Sequence, residues 1–280
     1  CSYLSPSFKG SITKDKLLKH CAYRKDLPEA VVYDWTRLYR TKDVTWGLSI
    51  PWDILQSIPE NSVCDVNIVS EFYDYSMPVL EFYLPGQSDS EFLINAHNCH
   101  PYQANDDLSG CAVAIQLFKN LAALTHRKYS YRLLIAPELY GPMFWLKDKP
   151  ELIAKIKSCV LLKSVGNASP IKLQHSFKRD SYIDDIMELA LRHNVDQDYT
   201  SHSFRSYYGN DETVFEAPGA RIPSITLTRY PFQEYHTSYD IPSMISLDSL
   251  ESTYRIVWDS IQILETDLTL FSPPSGLFCL

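Results

Sequence analysis

Residues 92–110 read FLINAHNCHPYQANDDLSG, and the fold prediction starts from them. Phe92–Ala96 is a short apolar run, which is typical of a buried strand. Leu108–Leu124 follows with apolar side chains at helical spacing and predicts an amphipathic helix. A strand that passes through a polar loop into a helix is the repeating unit of sheets built from parallel strands. The segment therefore predicts an α/β fold.

The flanking sequence continues this alternation. Beyond the central segment we predict, in order, a strand at Tyr131–Ala136, a helix near Glu151–Lys157, a strand at Cys159–Lys163, a helix at Tyr182–His193, a strand at Pro223–Thr228 and a helix at Leu247–Leu264. Before it, residues 63–69 and 78–84 alternate polar and apolar side chains and predict a hairpin at the sheet edge, and Lys14–Arg24 predicts a helix. The fold class that follows is a three-layer α/β sandwich, with a mixed, mostly parallel central sheet flanked by helices.

The length of 280 residues fits one large domain or two small ones. The chain contains neither an internal repeat nor a Gly/Ser-rich linker that would divide it. We therefore predict a single domain over residues 1–280, with residues 1–45 as an N-terminal extension packed on it.

Charge and hydropathy exclude two classes of partner. The chain has 26 Lys and Arg against 34 Asp and Glu, a net charge of −8, and its basic residues are scattered, so nucleic acid is not an expected partner. The sequence shows no apolar run that approaches the ~18–20 residues needed to cross a bilayer, so we predict no transmembrane segment.

Cysteine usage bears on the cellular compartment. Seven widely spaced cysteines with no C-x-x-C pair favour reduced thiols and a cytoplasmic location. The residues that follow Cys1 resemble no signal peptide, since they lack a basic and an apolar region. Cys1 itself is compatible with a trimmed chain or with the N-terminus of a mature lipoprotein.

The loop after the predicted strand at residues 92–96 concentrates groups that can bind a metal. It holds His97 and His100, and the next helix begins with Asp106 and Asp107. Histidine and carboxylate together are ligands that Zn²⁺ prefers. An acid at a helix N-terminus can also be a simple cap, and the histidines can be ordinary core or surface residues. The segment alone leaves the two interpretations equal.

Two other strands deliver polar groups to the same edge. Glu138 follows the apolar run Leu133–Ala136, and His236 lies in a loop after Pro223–Thr228. Because ligands bind outside the carboxyl ends of such strands, three strands point to one site. This convergence favours a functional site over chance.

The motifs in their order resemble a bacterial zinc-aminopeptidase-like family whose members are often found beside polysaccharide-biosynthesis genes. The resemblance rests on Trp46–Pro51, His97–Pro101, Ala104–Gly110, Tyr129–Arg132, Pro137–Glu138, Asp211–Glu212 and Glu234–Asp240. That family is similar in fold to leucyl aminopeptidases, glutamate carboxypeptidases and glutaminyl cyclases.

The resemblance implies a set of ligands and a catalytic acid. His100 and His236 match metal ligands, and Asp106 matches an aspartate that bridges two zinc ions in the wider group. His97 is an alternative to His100 as the binding histidine, with His100 slightly favoured. Glu138 matches the glutamate region that supplies both a general base and a ligand in the wider group, where two glutamates are adjacent; this chain has Pro137-Glu138 instead.

Other positions are implied to face the substrate, and two depart from the family pattern. Asp211 and Glu212 match acids that hold a substrate amine, although a helix N-cap is the alternative, and Tyr235 is a further substrate-binding candidate. Asn167 stands where relatives carry an aspartate, so we predict one Zn²⁺ per chain and count Asn167 with the substrate pocket. Thr213 stands where relatives commonly carry arginine.

The resemblance thus implies a metal-dependent aminopeptidase-like amidohydrolase. Its substrate would be a peptide or an amino-acyl small molecule, cleaved next to a free amine by metal-activated water, and the chain could form a homo-oligomer. Acyl transfer of the glutaminyl-cyclase kind, deacylation of a modified sugar or peptide intermediate, and a non-catalytic binding protein are the alternatives.

Overall fold

A computed structural model describes residues 1–34, 45–194, 199–207 and 209–268. Its strands are β1 Phe8–Thr13, β2 Cys21–Ala22, β3 Leu48–Ser49, β4 Val63–Ile68, β5 Leu80–Leu84, β6 Glu91–His97, β7 Ser130–Ala136, β8 Ile156–Lys163, β9 Lys172–Gln174, β10 Thr200–His202 and β11 Ser224–Thr228. Its helices are α1 Lys14–Leu18, α2 Trp52–Ser57, α3 Ser109–Ala123, α4 Tyr140–Asp148, α5 Leu152–Lys155, α6 Tyr182–Asn194, α7 Glu212–Phe215 and α8 Leu247–Thr266.

The main sheet has the strand order β10-β9-β11-β8-β6-β7-β5. Its four central strands, β11, β8, β6 and β7, are parallel to one another, while β9 and β5 run antiparallel to their inner neighbours β11 and β7. The prediction of a mixed, mostly parallel sheet is confirmed. All four central strands therefore end at the same edge.

Side chains from the central strands alternate between two apolar layers. Ile94 and Ala96 of β6 pack in the layer that holds α3, α6 and α8, whereas Leu93 packs in the layer that holds α4, α5 and α7. The three-layer prediction is confirmed. Both faces are covered, which is why β6 and β7 are buried along their whole length. A fully buried Leu93 contributes roughly 1.5–3 kcal/mol by leaving water.

A buried arginine links three strands on one side of the sheet. Arg132 of β7 donates two hydrogen bonds to Glu91 of β6, from Nε at 2.7 Å and from Nη2 at 3.0 Å, and it also pairs with Glu81 of the edge strand β5. Charges removed from water remain stable only when they are paired in this way. The arrangement joins the antiparallel edge strand to the parallel centre.

The first part of the chain builds smaller sheets of its own. Strand β4 pairs antiparallel with β1, from Phe8 opposite Ile68 to Thr13 opposite Val63, and β5 pairs with β7 instead. The predicted hairpin of residues 63–69 with 78–84 is therefore wrong. Alternation of polar and apolar residues identifies a strand but not its partner.

Several predicted boundaries also shift. The helix predicted at Lys14–Arg24 ends at Leu18, and the chain soon enters β2. The helix expected near residues 151–157 is one turn long, because Ile156 already begins β8. Helix α4 was missed, since its sequence contains Gly141-Pro142, a pair typical of turns.

The described helices include none that combines the length and the apolar character needed to cross a membrane. The single domain over residues 1–280, with its extension at residues 1–45, stays a prediction. Residues 35–44 of that extension, and Cys279, lie outside the described residues.

Candidate metal centre

Two loops meet at the carboxyl edge of the central strands and bring two histidines to one aspartate. The Oδ2 atom of Asp106 lies 3.3 Å from Nε2 of His100 and 3.2 Å from Nε2 of His236. His100 and Asp106 follow β6, whereas His236 follows β11. The strand-end argument from the sequence thus places these three side chains correctly.

The turn that carries Asp106 is held by a second acid. Asp240 accepts hydrogen bonds from the backbone N–H groups of Asn105 (2.5 Å) and Asp106 (3.0 Å), and the peptide bond from Asp106 to Asp107 is cis. Burial raises the pKa of Asp240 to about 6 despite these bonds. Asp240 belongs to the sequence motif around His236, so that motif supplies a candidate ligand and also the support for another one.

Asp107 has a different task from its neighbour. Its carboxylate accepts hydrogen bonds from the backbone N–H groups of His97 (3.2 Å), Gly110 (3.2 Å) and Ser164 (2.9 Å). It therefore ties the end of β6, the start of α3 and the end of β8 together. A Cβ on Gly110 would lie 2.5 Å from Oδ1 of Asp107, which explains the glycine in this first helical turn.

Each of the two histidines is oriented by its surroundings. The Nδ1 atom of His100 lies 3.0 Å from the carbonyl oxygen of Pro101, and a proton shared there leaves Nε2 to face Asp106. Tyr33 stacks on the His100 ring at 4.7 Å, and Tyr235 stacks on the His236 ring at 3.8 Å. These contacts restrict both rings to orientations suited to a shared ligand.

Electrostatics favours the protonation states that metal ligands need. Burial opposes ionisation of Asp106, but the positive charge of Lys163 and the contacts with His100 and His236 outweigh it and hold its pKa well below the usual range. Burial lowers the pKa of His236 although Asp106 opposes the shift. An ionised carboxylate and a neutral imidazole are the ligand forms.

The other oxygen of Asp106 faces a second pair of side chains. Oδ1 lies 3.2 Å from Nε2 of His97 and 3.1 Å from Nζ of Lys163. Nδ1 of His97 lies 3.3 Å from Asp107, so both ring nitrogens contact other protein groups. Lys163 was not among the predicted site residues. A lysine at the end of an apolar strand was the signal in the sequence.

Glu138 follows β7 and stands beside the same centre. Its Oε1 atom lies 3.7 Å from Nζ of Lys163. The next residue, Leu139, adopts a positive φ of 62°, which is uncommon without glycine, and its N–H donates a 2.6 Å hydrogen bond to Oδ1 of Asp211. Asp211 thus fixes the turn that orients Glu138.

Three predicted substrate-binding residues, Asp211, Glu212 and Asn167, are absent from the described lining of the cavity beside the centre. Burial, together with the charge of Glu138, raises the pKa of Asp211 to about 7. Glu212 accepts bonds from the N–H of Asn210, and its pKa also rises to about 7, mainly because it is buried. Asn167 bonds to Ser169 and to the carbonyl of Arg229. Substrate-binding roles for these three remain predictions.

A cavity of about 280 Å³ opens over the candidate ligands. The described residues that line it are Tyr3, Tyr33, Cys99, His100, Pro137, Glu138, Leu139, Tyr140, Gly209, Tyr235 and His236. Tyr235 thus lies where the sequence predicted a substrate contact, and Glu138 contributes the only carboxylate in this described lining. Tyr3 and Tyr33 come from the N-terminal part of the chain, which no sequence motif connected with the site.

The donor set fits a zinc ion. Tetrahedral Zn²⁺ with bonds of ~2.0–2.2 Å places its ligands roughly 3.3–3.6 Å apart, close to the 3.2 and 3.3 Å measured from Asp106 to the two histidines. A second group, His97, Cys99 and His100, also has ligand atoms within 4.8 Å of one another. It is the poorer candidate, because His97 Nε2 lies 3.1 Å from a lysine ammonium.

Comparison with known proteins places the chain in a family. The family model described as a domain of unknown function, DUF4910, matches residues 30–267. The chain belongs to this family. A protein of Clostridium acetobutylicum, provisionally named a polysaccharide biosynthesis protein with an aminopeptidase-like domain, is 32% identical over 226 residues. The alignment covers 80% of this chain and 51% of the relative, so the DUF4910 chain spans about half its length.

Solved structures confirm the aminopeptidase-like fold. A crystal structure from Clostridium acetobutylicum, provisionally described as a peptidase, matches with a TM-score of 0.83 and 28% identity over 94% of this chain and 61% of that one. A zinc aminopeptidase from Bacillus subtilis matches with a TM-score of 0.65 and 14% identity over 91% and 68%. Two glutaminyl cyclases share the fold at TM-scores of 0.56 and 0.58 and 19% and 15% identity. The family resemblance inferred from the motifs is confirmed.

Proposed function

We propose that this DUF4910 protein is a zinc-dependent aminopeptidase-like hydrolase that cleaves an amide bond next to a free amine. The observation that carries the proposal is the convergence of His100, Asp106 and His236 beneath a cavity, with Oδ2 of Asp106 3.3 and 3.2 Å from the two imidazole Nε2 atoms. Three protein ligands leave one position open, which is the arrangement of catalytic rather than structural zinc sites.

The protein groups divide the work of the reaction. His100, Asp106 and His236 would hold the Zn²⁺. When bound, this ion would act as a Lewis acid that polarises a carbonyl and lowers the pKa of water. Glu138, the carboxylate in the cavity lining, would take a proton from the attacking water and transfer it to the leaving amine. Asp211 supports this role by holding the turn after Glu138.

A second candidate function keeps the metal and changes the substrate. Asp211 and Glu212, proposed from the sequence to hold a substrate amine, lie outside the described cavity lining and bind backbone N–H groups. A cavity with one carboxylate also suits a substrate without a free amine. Deacylation of an N-acylated sugar, or cyclisation of an N-terminal glutaminyl group, is therefore the alternative.

Matched substrates separate these activities. The zinc-loaded protein is incubated with a dipeptide, the same dipeptide acetylated at its amine, a glutaminyl dipeptide and an N-acetylated amino sugar, and products are identified by mass spectrometry. Cleavage of the free dipeptide alone supports the main proposal. Deacetylated sugar or cyclised peptide supports the second candidate, and no turnover of any substrate would favour a binding protein.

A further inference from the structure

The carboxylate of Asp106 separates two sites for positive charge. On its Oδ2 side, His100 and His236 form the candidate metal site, and on its Oδ1 side stand His97 and the ammonium of Lys163. We propose that the ammonium of Lys163 takes the place of a second metal ion and limits the centre to one. This inference rests on the proposed function, since it needs the metal on the Oδ2 side.

The first argument is the position of Lys163 in the sheet. It is the last residue of β8, between β6 and β11, and its side chain is 2% exposed. A buried ammonium is costly unless acceptors surround it. Strand register fixes its backbone opposite Thr228, so the side chain is directed toward the centre by the rigid core of the sheet rather than by a loop.

The second argument is the set of groups around its nitrogen. Nζ lies 3.1 Å from Oδ1 of Asp106, 3.1 Å from Nε2 of His97 and 3.7 Å from Oε1 of Glu138. The contact with Oδ1 of Asp106 is an ion pair at hydrogen-bond distance, and the Glu138 carboxylate adds a second, longer charge contact. Two carboxylate oxygens and one imidazole nitrogen are also a ligand set for Zn²⁺. The ammonium therefore lies where such ligands would bind a cation.

The third argument is that Asn167 does not account for a stoichiometry of one metal ion per chain. Both ends of its side-chain amide are engaged elsewhere, since Oδ1 accepts from the N–H of Ser169 and Nδ2 donates to the carbonyl of Arg229. Lys163 supplies the physical reason that Asn167 lacks, because a metal on the Oδ1 side would have to displace a buried positive charge. The predicted stoichiometry of one zinc is kept, but for a different reason.

The test counts metal ions in a charge-reversed variant. Wild type, Lys163→Asp and Lys163→Met are dialysed against excess Zn²⁺, and bound zinc per chain is measured by elemental analysis. Lys157→Asp is the matched control, because Lys157 lies on the same strand with its side chain exposed. We expect about one zinc in wild type and in Lys157→Asp, and about two in Lys163→Asp. In Lys163→Met we expect a second, weaker equivalent.

The outcomes separate this inference from the proposed function. Two ions in wild type, or one ion in folded Lys163→Asp and Lys163→Met, would overturn the role of Lys163 and leave the zinc hydrolase intact. No zinc in wild type would overturn the proposed function, and the inference with it. Should both variants misfold, Co²⁺-loaded wild type decides, because uncoupled cobalt spins in the EPR spectrum support one ion and spin-coupled cobalt refutes it.

Discussion

His236 and Asp106, which come from loops far apart in the sequence, face each other with Nε2 3.2 Å from Oδ2. Hydrogen bonds to other segments of the chain hold both positions. Asp106 is held through Asp240, and the carbonyl oxygen of His236 accepts a 2.8 Å hydrogen bond from the N–H of Tyr33. Contacts within the protein therefore support both sides of the candidate centre.

Removal of Asp106 should abolish this site. Asp106→Asn keeps the shape of the side chain but removes the negative charge that joins the two histidines, so we expect zinc affinity to fall by more than about 100-fold, beyond the 10–100-fold typical of residues outside the ligand set. Isothermal titration with Zn²⁺ measures the change. Asp89→Asn, at an exposed position, is the control and should bind as wild type. Unchanged affinity in Asp106→Asn would exclude it as a ligand.

Glu138→Gln tests the proposed general base separately from the metal. Glutamine fits the same space but cannot accept the proton, so we expect kcat to fall by roughly 10²–10⁴-fold with zinc content unchanged. The exposed Glu151→Gln is the matched control. If zinc is lost along with activity, Glu138 is a ligand and the base must be another group.

The raised pKa of Asp211 predicts a pH-dependent stability. Its carboxyl has a pKa of about 7 when folded, because it is buried and close to Glu138, against an ordinary value of 3.8. Because its pKa is higher in the folded state than in the unfolded one, the contribution of this carboxyl to the free energy of unfolding is fully present below pH ~4. That contribution is lost as the pH rises through ~7. The free energy of unfolding of Asp211→Asn should therefore rise relative to that of wild type across this pH range, by up to about 4 kcal/mol.

Urea unfolding of Asp211→Asn and wild type at pH 5 and pH 8 measures this gain. Asparagine still offers Oδ1 to the N–H of Leu139, so the turn after β7 is retained. Asp89→Asn again serves as the control. Its free energy of unfolding should differ from that of wild type by the same amount at both pH values. An equal difference for Asp211→Asn at pH 5 and pH 8 would contradict the prediction.

Much of the site followed from one rule about strand ends. His100, Asp106, Glu138 and His236 all lie in segments that follow predicted parallel strands, and the shared direction of those strands brings them to one edge. This part of the prediction depended only on the order and type of elements. Boundaries shifted by a few residues did not disturb it, since the loops kept their places.

The parts that could not be predicted depend on register and on distant packing. Lys163 ended a predicted strand, but a change of one residue in register would turn its side chain to the other face. Tyr33 reaches His100 only because the N-terminal segment pairs with the His236 loop, through the bridge between Val32 and Thr237. The sequence identified Asp211 as an acid at the start of a helix. It did not indicate that Asp211 accepts a hydrogen bond from the N–H of Leu139 in the turn after β7.

The buried arginine between β5, β6 and β7 provides a test of the fold. Arg132→Met keeps the length of the apolar stem but leaves Glu91, 2% exposed, without the bidentate partner it has in the described structure. We expect a loss of about 3–5 kcal/mol in the free energy of unfolding, because a buried charge is left uncompensated. Urea denaturation measures it.

Two further variants show whether charge is the cause. Arg255→Met, at an exposed arginine of α8, should change stability by less than about 0.5 kcal/mol. Adding Glu91→Gln to Arg132→Met should restore part of the loss, since the second change removes the unpaired charge. If the double variant is less stable than Arg132→Met by the full effect of Glu91→Gln alone, the two residues are independent. The pair would then contribute packing rather than charge compensation.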